Sequence, residues 1–206
     1  MPPNASMDSI LKACVNGTKK AWKEYYEISG GEWLWTAPEY FITVKIFEEL
    51  SKLNLLLELE SKVGETIFNA DIQYPGRYPR ALKLNGRFDI TLWWKNGYPR
   101  GVIEVKVMRN NSLNPIRNDL EEITEFLRLA RNKDSKVQFG IITVYTDYYD
   151  EGGKANKVVE RRLNNILEEC KSVSRRNDFE IKWKDVIKKV ENEESAYGII
   201  ACLLKV

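Results

Sequence analysis

The chain has 206 residues, 43% of them hydrophobic and 30% charged, which fits one soluble globular domain spanning 1–206 with a core of its own. It contains no histidine, which excludes Ser or Cys triads built on His, His-ligated zinc and His-metal nucleases. Hydrolytic chemistry would have to run on carboxylates, lysine and a hard, oxygen-binding cation, and the net charge of +2 requires any nucleic-acid partner to be met by a local basic patch.

The first predicted element is a helix over 8–28, with Ile10, Leu11, Cys14, Ala21, Trp22 and Tyr25 as its buried stripe, ended by Gly30-Gly31. Thr36-Ala37-Pro38-Glu39 has the form of a capping box and predicts a second helix from Thr36 to about Leu53, with Tyr40, Val44, Phe47 and Leu50 on one face. Leu55–Glu60 reads as a short strand, residues 61–73 are ambiguous, and Tyr74–Arg80 is a loop. Two strands follow, Arg87–Trp94 and Gly101–Met108, joined by a turn. Helical spacing then runs from Pro115 to Asn132, with Leu120, Ile123, Leu127 and Ala130 in one stripe. Val137–Tyr145 is a nearly uninterrupted apolar strand of the kind covered on both faces. A charged helix over 156–172, a strand near 180–183, a short helix and a last strand near 197–204 complete the chain.

No apolar run approaches the roughly 20 residues of a membrane span, and the start lacks the basic and apolar regions of a secretory signal, so a cytoplasmic protein is expected. Cys14, Cys170 and Cys202 have neither metal-site nor disulfide spacing and read as buried reduced thiols. Two basic concentrations stand out: Arg77, Arg80 and Arg87 interleaved with Tyr74 and Tyr78, and Lys182, Lys184, Lys188 and Lys189 around Trp183. Either one is a solvated surface or a nucleic-acid patch.

The chemistry concentrates around Asn96-Gly97, a strong hairpin signal. A two-residue turn there sets Lys95 opposite Tyr98, Trp94 opposite Pro99, Thr91 opposite Val102 and Asp89 opposite Glu104. Facing side chains on a sheet lie about 4.5–5.5 Å apart at Cβ. Lys106, two residues beyond Glu104, shares its face. Two acids held this close repel unless a divalent cation lies between them, and a lysine beside them can neutralise charge and orient a water.

Gly86-Arg87-Phe88-Asp89-Ile90 followed by Val102-Ile103-Glu104-Val105-Lys106-Val107 resembles the active-site segment of the PD-(D/E)XK nuclease superfamily, with Phe88 where the name-giving proline would stand. The resemblance implies an α/β fold: a central mixed β-sheet flanked by helices, with a restriction-endonuclease-like αβββαβ core over about 36–145 and further helices and strands at both ends. It implies Mg²⁺ or Mn²⁺ held by Asp89, Glu104 and the Val105 carbonyl, with Lys106 placing the attacking water. Glu39 is a further site candidate, because the family often supplies an acid from its first core helix; otherwise it caps with Thr36. Glu48 and Glu49 are weaker candidates, and Asn118 and Asp119 read as helix-start polar residues.

The implied activity is metal-dependent hydrolysis of nucleic-acid phosphodiester bonds, DNA favoured and endonuclease over exonuclease. Arg77, Arg80 and Arg87 would contact the backbone, in a homodimer or as a subunit of a defence or repair complex. The alternative on the same fold is a catalytically silent nucleic-acid-binding or scaffolding subunit.

Three other Glu-x-Lys segments, at 60–62, 169–171 and 180–182, lack the hairpin context. The plainer reading of 101–108 is an amphipathic strand with Glu104 and Lys106 in water and Asp89 pairing with Lys106.

Overall fold

The computed structural model describes residues 5–133, 135–190 and 194–206. In chain order the elements are α1 (Met7–Ile28), a 3₁₀ turn (Leu34–Thr36), α2 (Glu39–Ser51), β1 (Leu56–Lys62), α3 (Val63–Asn69), β2 (Arg87–Trp93), β3 (Pro99–Met108), α4 (Asn114–Asn132), β4 (Phe139–Tyr149), α5 (Ala155–Asn177), β5 (Glu180–Val190) and β6 (Ser195–Lys205). The strands form one mixed sheet in the order β1-β2-β3-β4-β6-β5, in which only β3 and β4 run parallel. The α/β class with helices on both faces of a mixed sheet is therefore as expected.

Each face of the sheet has its own core. On one side α1 and α2 cover Ile90, Leu92, Ile103, Val105, Ile141 and Tyr145. On the other, α4 and α5 cover Val102, Ile142, Val144, Ile200 and Cys202. The even and odd residues of β3 thus face opposite cores, as the two-residue period of a strand demands. Every predicted member of the α4 stripe is buried, and so are the three cysteines, as free thiols.

Three expectations are corrected. Helix α2 starts at Glu39, after Pro38, and Thr36 makes no cap: its hydroxyl donates to the Trp33 carbonyl. Its buried face is Ile42, Thr43, Ile46 and Leu50, and Tyr40 is exposed. That rotation follows from α1, where a Cβ at Gly17 would lie 2.5 Å from Ile46 Cα, so the two helices meet backbone to backbone at Ile46. The short helix expected after residue 183 is absent as far as the described residues reach, because β5 continues to Val190, paired along β6. Pairing with the apolar β6 overrides the local helical spacing.

The third correction is the turn. Gly97 N–H bonds to the Trp94 carbonyl and Trp94 N–H to the Tyr98 carbonyl, with Gly97 at φ +85, so the loop has three residues, not two. Trp93 then faces Pro99 rather than Trp94, and a bulge at Arg100 absorbs the extra residue before Leu92 meets Gly101. Beyond the bulge the pairing is the expected one, Thr91 with Val102.

Candidate active site

Regular β2–β3 pairing runs to Ile90 and Ile103. One step further, where the same register sets Asp89 opposite Glu104, side chain replaces backbone: the Val105 N–H donates to Asp89 Oδ2 at 2.7 Å. The neighbouring strand is irregular at the same level. Glu60, across from Asp89, has φ +56, and Phe88 packs on Phe126 in the α4 core while Ile90 lies in the opposite one. Residues two apart in a regular strand share a face, so β2 turns at Asp89.

Glu104 is 6% exposed, and its Oε1 has no hydrogen-bond partner. The plainer reading, with this side chain in water, is thereby overturned. Its face of β3 is covered by α4, which brings two more acids, Asp119 and Glu122, about one turn apart and both buried. Lys106 Nζ lies 3.2 Å from Asp119 Oδ2 and 3.5 Å from Glu39 Oε1. Glu39 Oε2 also accepts the Val107 N–H at 2.7 Å. The Glu39 carboxylate therefore bridges α2 to β3 and forms no capping box. Lys106 pairs with these two acids, not with Asp89 as the plainer reading had it.

Burial raises the Asp89 carboxyl to about 6, against the opposing pull of the Val105 N–H and the Lys106 charge. Glu104 is pushed well above the ordinary carboxyl range, first by burial and then by the charges of Asp89 and Asp119. Lys106 goes the other way from a buried amine: burial lowers its pKa, but Asp119 and Glu39 outweigh that and hold it above its usual value. The two carboxylates thus favour the charged ammonium at this position. Asp119 and Glu122 are both raised by burial, partly offset by Lys106 and by Lys83 respectively. Lys83 contacts Glu122 with both its backbone N–H (3.3 Å) and its Nζ (3.4 Å).

A groove of about 280 Å³ opens beside Lys106 and Glu39, walled by Val107, Arg109, Asn110 and Ser112. Among the described residues, no three acidic or thiol side chains gather into a set that closes around an ion. A cation here would depend on the Asp89 and Glu104 carboxylates, a backbone carbonyl such as that of Val105, and water.

The three residues of the hairpin motif and Glu39 are thus brought together. Arg87 lies at the start of β2, its Nη1 donating to the Glu60 carbonyl at 2.7 Å. Arg80 lines a separate recess with Glu125, Arg128 and Asn132, two to three turns along α4 from the Lys106–Asp119 pair, and Arg77 is exposed in the same loop. In the second basic concentration, Trp183 is exposed on β5 and stacks with the Lys171 ammonium; the side chains of Lys188 and Lys189 lie outside the described residues. Sequence reasoning takes Asp119 as a helix-start polar residue and does not single out Glu122. Their signal was spacing: Asp119 follows Ile116 by three and precedes Ile123 by four, which puts a charge on an apolar helix stripe.

Compared with protein-family models, curated proteins and solved structures, the chain matches none, so the chemistry of this site has to be read from its own geometry.

Proposed function

We propose that the chain is a metal-dependent nuclease that hydrolyses phosphodiester bonds, DNA favoured, on a restriction-endonuclease-like core formed by α2, β1, β2, β3, α4 and β4. The observation that carries this reading is the buried, partnerless Glu104 Oε1 set opposite Asp89 with Lys106 beside it. An unsatisfied buried carboxylate oxygen costs on the order of 1–3 kcal/mol or more, a cost that a bound cation would remove. Two acids that repel across a strand pair, with only Lys106 among the described residues to offset them, fit a hard divalent ion. Asp89 and Glu104 would hold it, together with the Val105 carbonyl. When bound, Mg²⁺ or Mn²⁺ supplies Lewis acidity at a phosphate oxygen and a lowered water pKa.

The remaining work falls to the chain's own groups. Lys106, kept protonated by Asp119 and Glu39, donates hydrogen bonds to the nucleophilic water or a phosphate oxygen and offsets its charge. Glu39 restrains the Lys106 ammonium and the β3 backbone together, which fixes the direction of the amine. The irregular level of β2 turns the Asp89 carboxylate toward β3. In the reaction the water gives up a proton to solvent as its oxygen bonds to phosphorus, the phosphorus–oxygen ester bond breaks, and the leaving oxygen takes up a proton from solvent.

The test is cleavage of labelled DNA and RNA with Mg²⁺ and with chelator. Cutting that requires the ion and disappears in Asp89→Ala and Glu104→Ala supports the reading. Full activity in either variant places the chemistry elsewhere.

A further inference from the structure

We infer that the surface made by α3 and its connection to β2, residues 62–87, seats an unpaired nucleic-acid strand, with Phe68 as the platform on which a base stacks. The choice of a polynucleotide rests in part on the nuclease reading; the existence of an exposed apolar patch in a net-basic segment does not. Phe68, in the last turn of α3, is 80% exposed, and Tyr74 and Leu84 nearby are 39% and 38% exposed. Phe68 and Leu84 line a recess of about 300 Å³ together with Ile67, Asp71, Ile72 and Tyr78, and the Tyr74 and Tyr78 rings lie 5.5 Å apart. Single exposed apolar side chains are ordinary, but a contiguous apolar patch marks a partner.

The charge of the segment selects the partner. Residues 62–87 carry five basic side chains (Lys62, Arg77, Arg80, Lys83, Arg87) and two acidic ones, net +3, against +2 for the whole chain. The rest of the molecule is therefore net negative, and this segment accounts for the positive balance. A partner that is anionic and also offers flat apolar faces is a polynucleotide. In a duplex those faces are already stacked; in a single strand they are free, and aromatic platforms interleaved with basic residues are how single strands are held.

The patch also leads to the acids. The Gly64 N–H bonds to the Leu84 carbonyl, Lys83 next to it reaches Glu122, and Glu122 lies about one turn along α4 from Asp119, the partner of Lys106. A strand stacked on Phe68 and running past Lys83 would arrive at the site.

The experiment is fluorescence anisotropy of the full chain with a labelled single-stranded oligonucleotide and with its duplex, in chelator so that nothing is cut. The single strand should bind more tightly than the duplex. Phe68→Ala should weaken single-strand binding about 5- to 100-fold with an unchanged melting temperature, and Phe68→Trp should restore it. Arg77→Ala with Arg80→Ala should lower the salt slope of single-strand binding by about 1.4. Unchanged affinity in Phe68→Ala, or preference for the duplex, overturns the inference. A protein that cuts with Mg²⁺ while Phe68→Ala binds normally loses this seat and keeps the nuclease reading. Binding through Phe68 without Mg²⁺-dependent cutting does the reverse. No binding of either oligonucleotide at low salt removes the seat, and a protein partner for the patch is then the remaining explanation.

Discussion

Two buried polar clusters sit on neighbouring strands, one where the start of β2 meets the middle of β3 and one near the end of β4, and they are built in opposite ways. At the end of β4, Asp147 accepts the Tyr145 hydroxyl at 2.9 Å and the Trp35 backbone N–H. Arg162, itself buried, donates to the Asp147 carbonyl (2.7 Å), the Thr146 hydroxyl (3.0 Å) and the Asn111 side chain (3.0 Å). Near the start of β2, Asp89 accepts the Val105 N–H and a side-chain hydrogen bond from Glu104, while Glu104 Oε1 accepts none. Burial lifts both aspartates to about 6. The same pKa therefore arises in a closed network and in an open one. The shift alone identifies no site; the proposed one rests on the Glu104 oxygen and the acids and lysine around it.

The largest effect should come from the open cluster. Asp89→Ala or Glu104→Ala is expected to lower cleavage by at least about a thousandfold, equal to about 4 kcal/mol of transition-state stabilisation, with circular dichroism unchanged. The closed cluster should answer in stability instead. Arg162→Met removes three hydrogen bonds, two of them buried, and should cost about 3 kcal/mol, or about 6–12 °C in Tm by thermal melting.

Glu104→Gln tests the contrast from the other side. At a pH high enough to ionise Glu104, loss of that buried repulsive charge should raise Tm by about 2–6 °C while activity falls. Mg²⁺ at several millimolar should stabilise the wild type by about 1–3 kcal/mol and leave Glu104→Gln unchanged, as read by the same melts. An equal response in both proteins would break the comparison.

Titration gives a smaller signal. A buried aspartate whose folded pKa is raised binds its proton more readily in the folded state than in the unfolded one. Its contribution to stability is greatest below the ordinary pKa of 3.8, falls as pH rises to about 6 and stays low above that. Asp147→Asn should flatten that fall by roughly 1–3 kcal/mol between pH 4 and 6 in denaturant titrations. In the open cluster a cation competes with the proton for Asp89 and Glu104, so Mg²⁺ affinity should rise from pH 5 to 8. The smallest effect belongs to Lys83→Ala, whose Nζ contact with Glu122 is made by a 60% exposed side chain and should be worth less than about 1 kcal/mol.

The reach of the sequence can be judged residue by residue. Asp89, Glu104 and Lys106 were legible because one hairpin fixes their relation, and a hairpin is local. The inner register was right although the turn was not, since a three-residue loop plus one bulge leaves the same pairing as a two-residue loop with none. Glu39 could be named as a candidate, but its partners could not, because Lys106 and Val107 are 67 and 68 residues away. Asp119 was misread because a charge near a helix start is usually solvated; only its place on the Ile116–Ile123 stripe argued otherwise. The rotated face of α2 was hidden because it depends on Gly17 in another helix. β5 was cut short because Lys184–Val190 carries little strand signal until β6 lies beside it.

The bulge at Arg100 has a consequence at a distance. Its guanidinium donates to the Ala5 carbonyl at 2.7 Å and lies over the Trp94 and Phe139 rings, which keeps the surplus residue out of the ladder. Were that anchor lost and Arg100 allowed to pair with Leu92, every later partner would slip by one, and Ile103 would come to stand across from Asp89. A cation–aromatic clasp about 13 Å upstream, at four residues' strand rise, thus decides whether an acid meets an acid or a hydrocarbon.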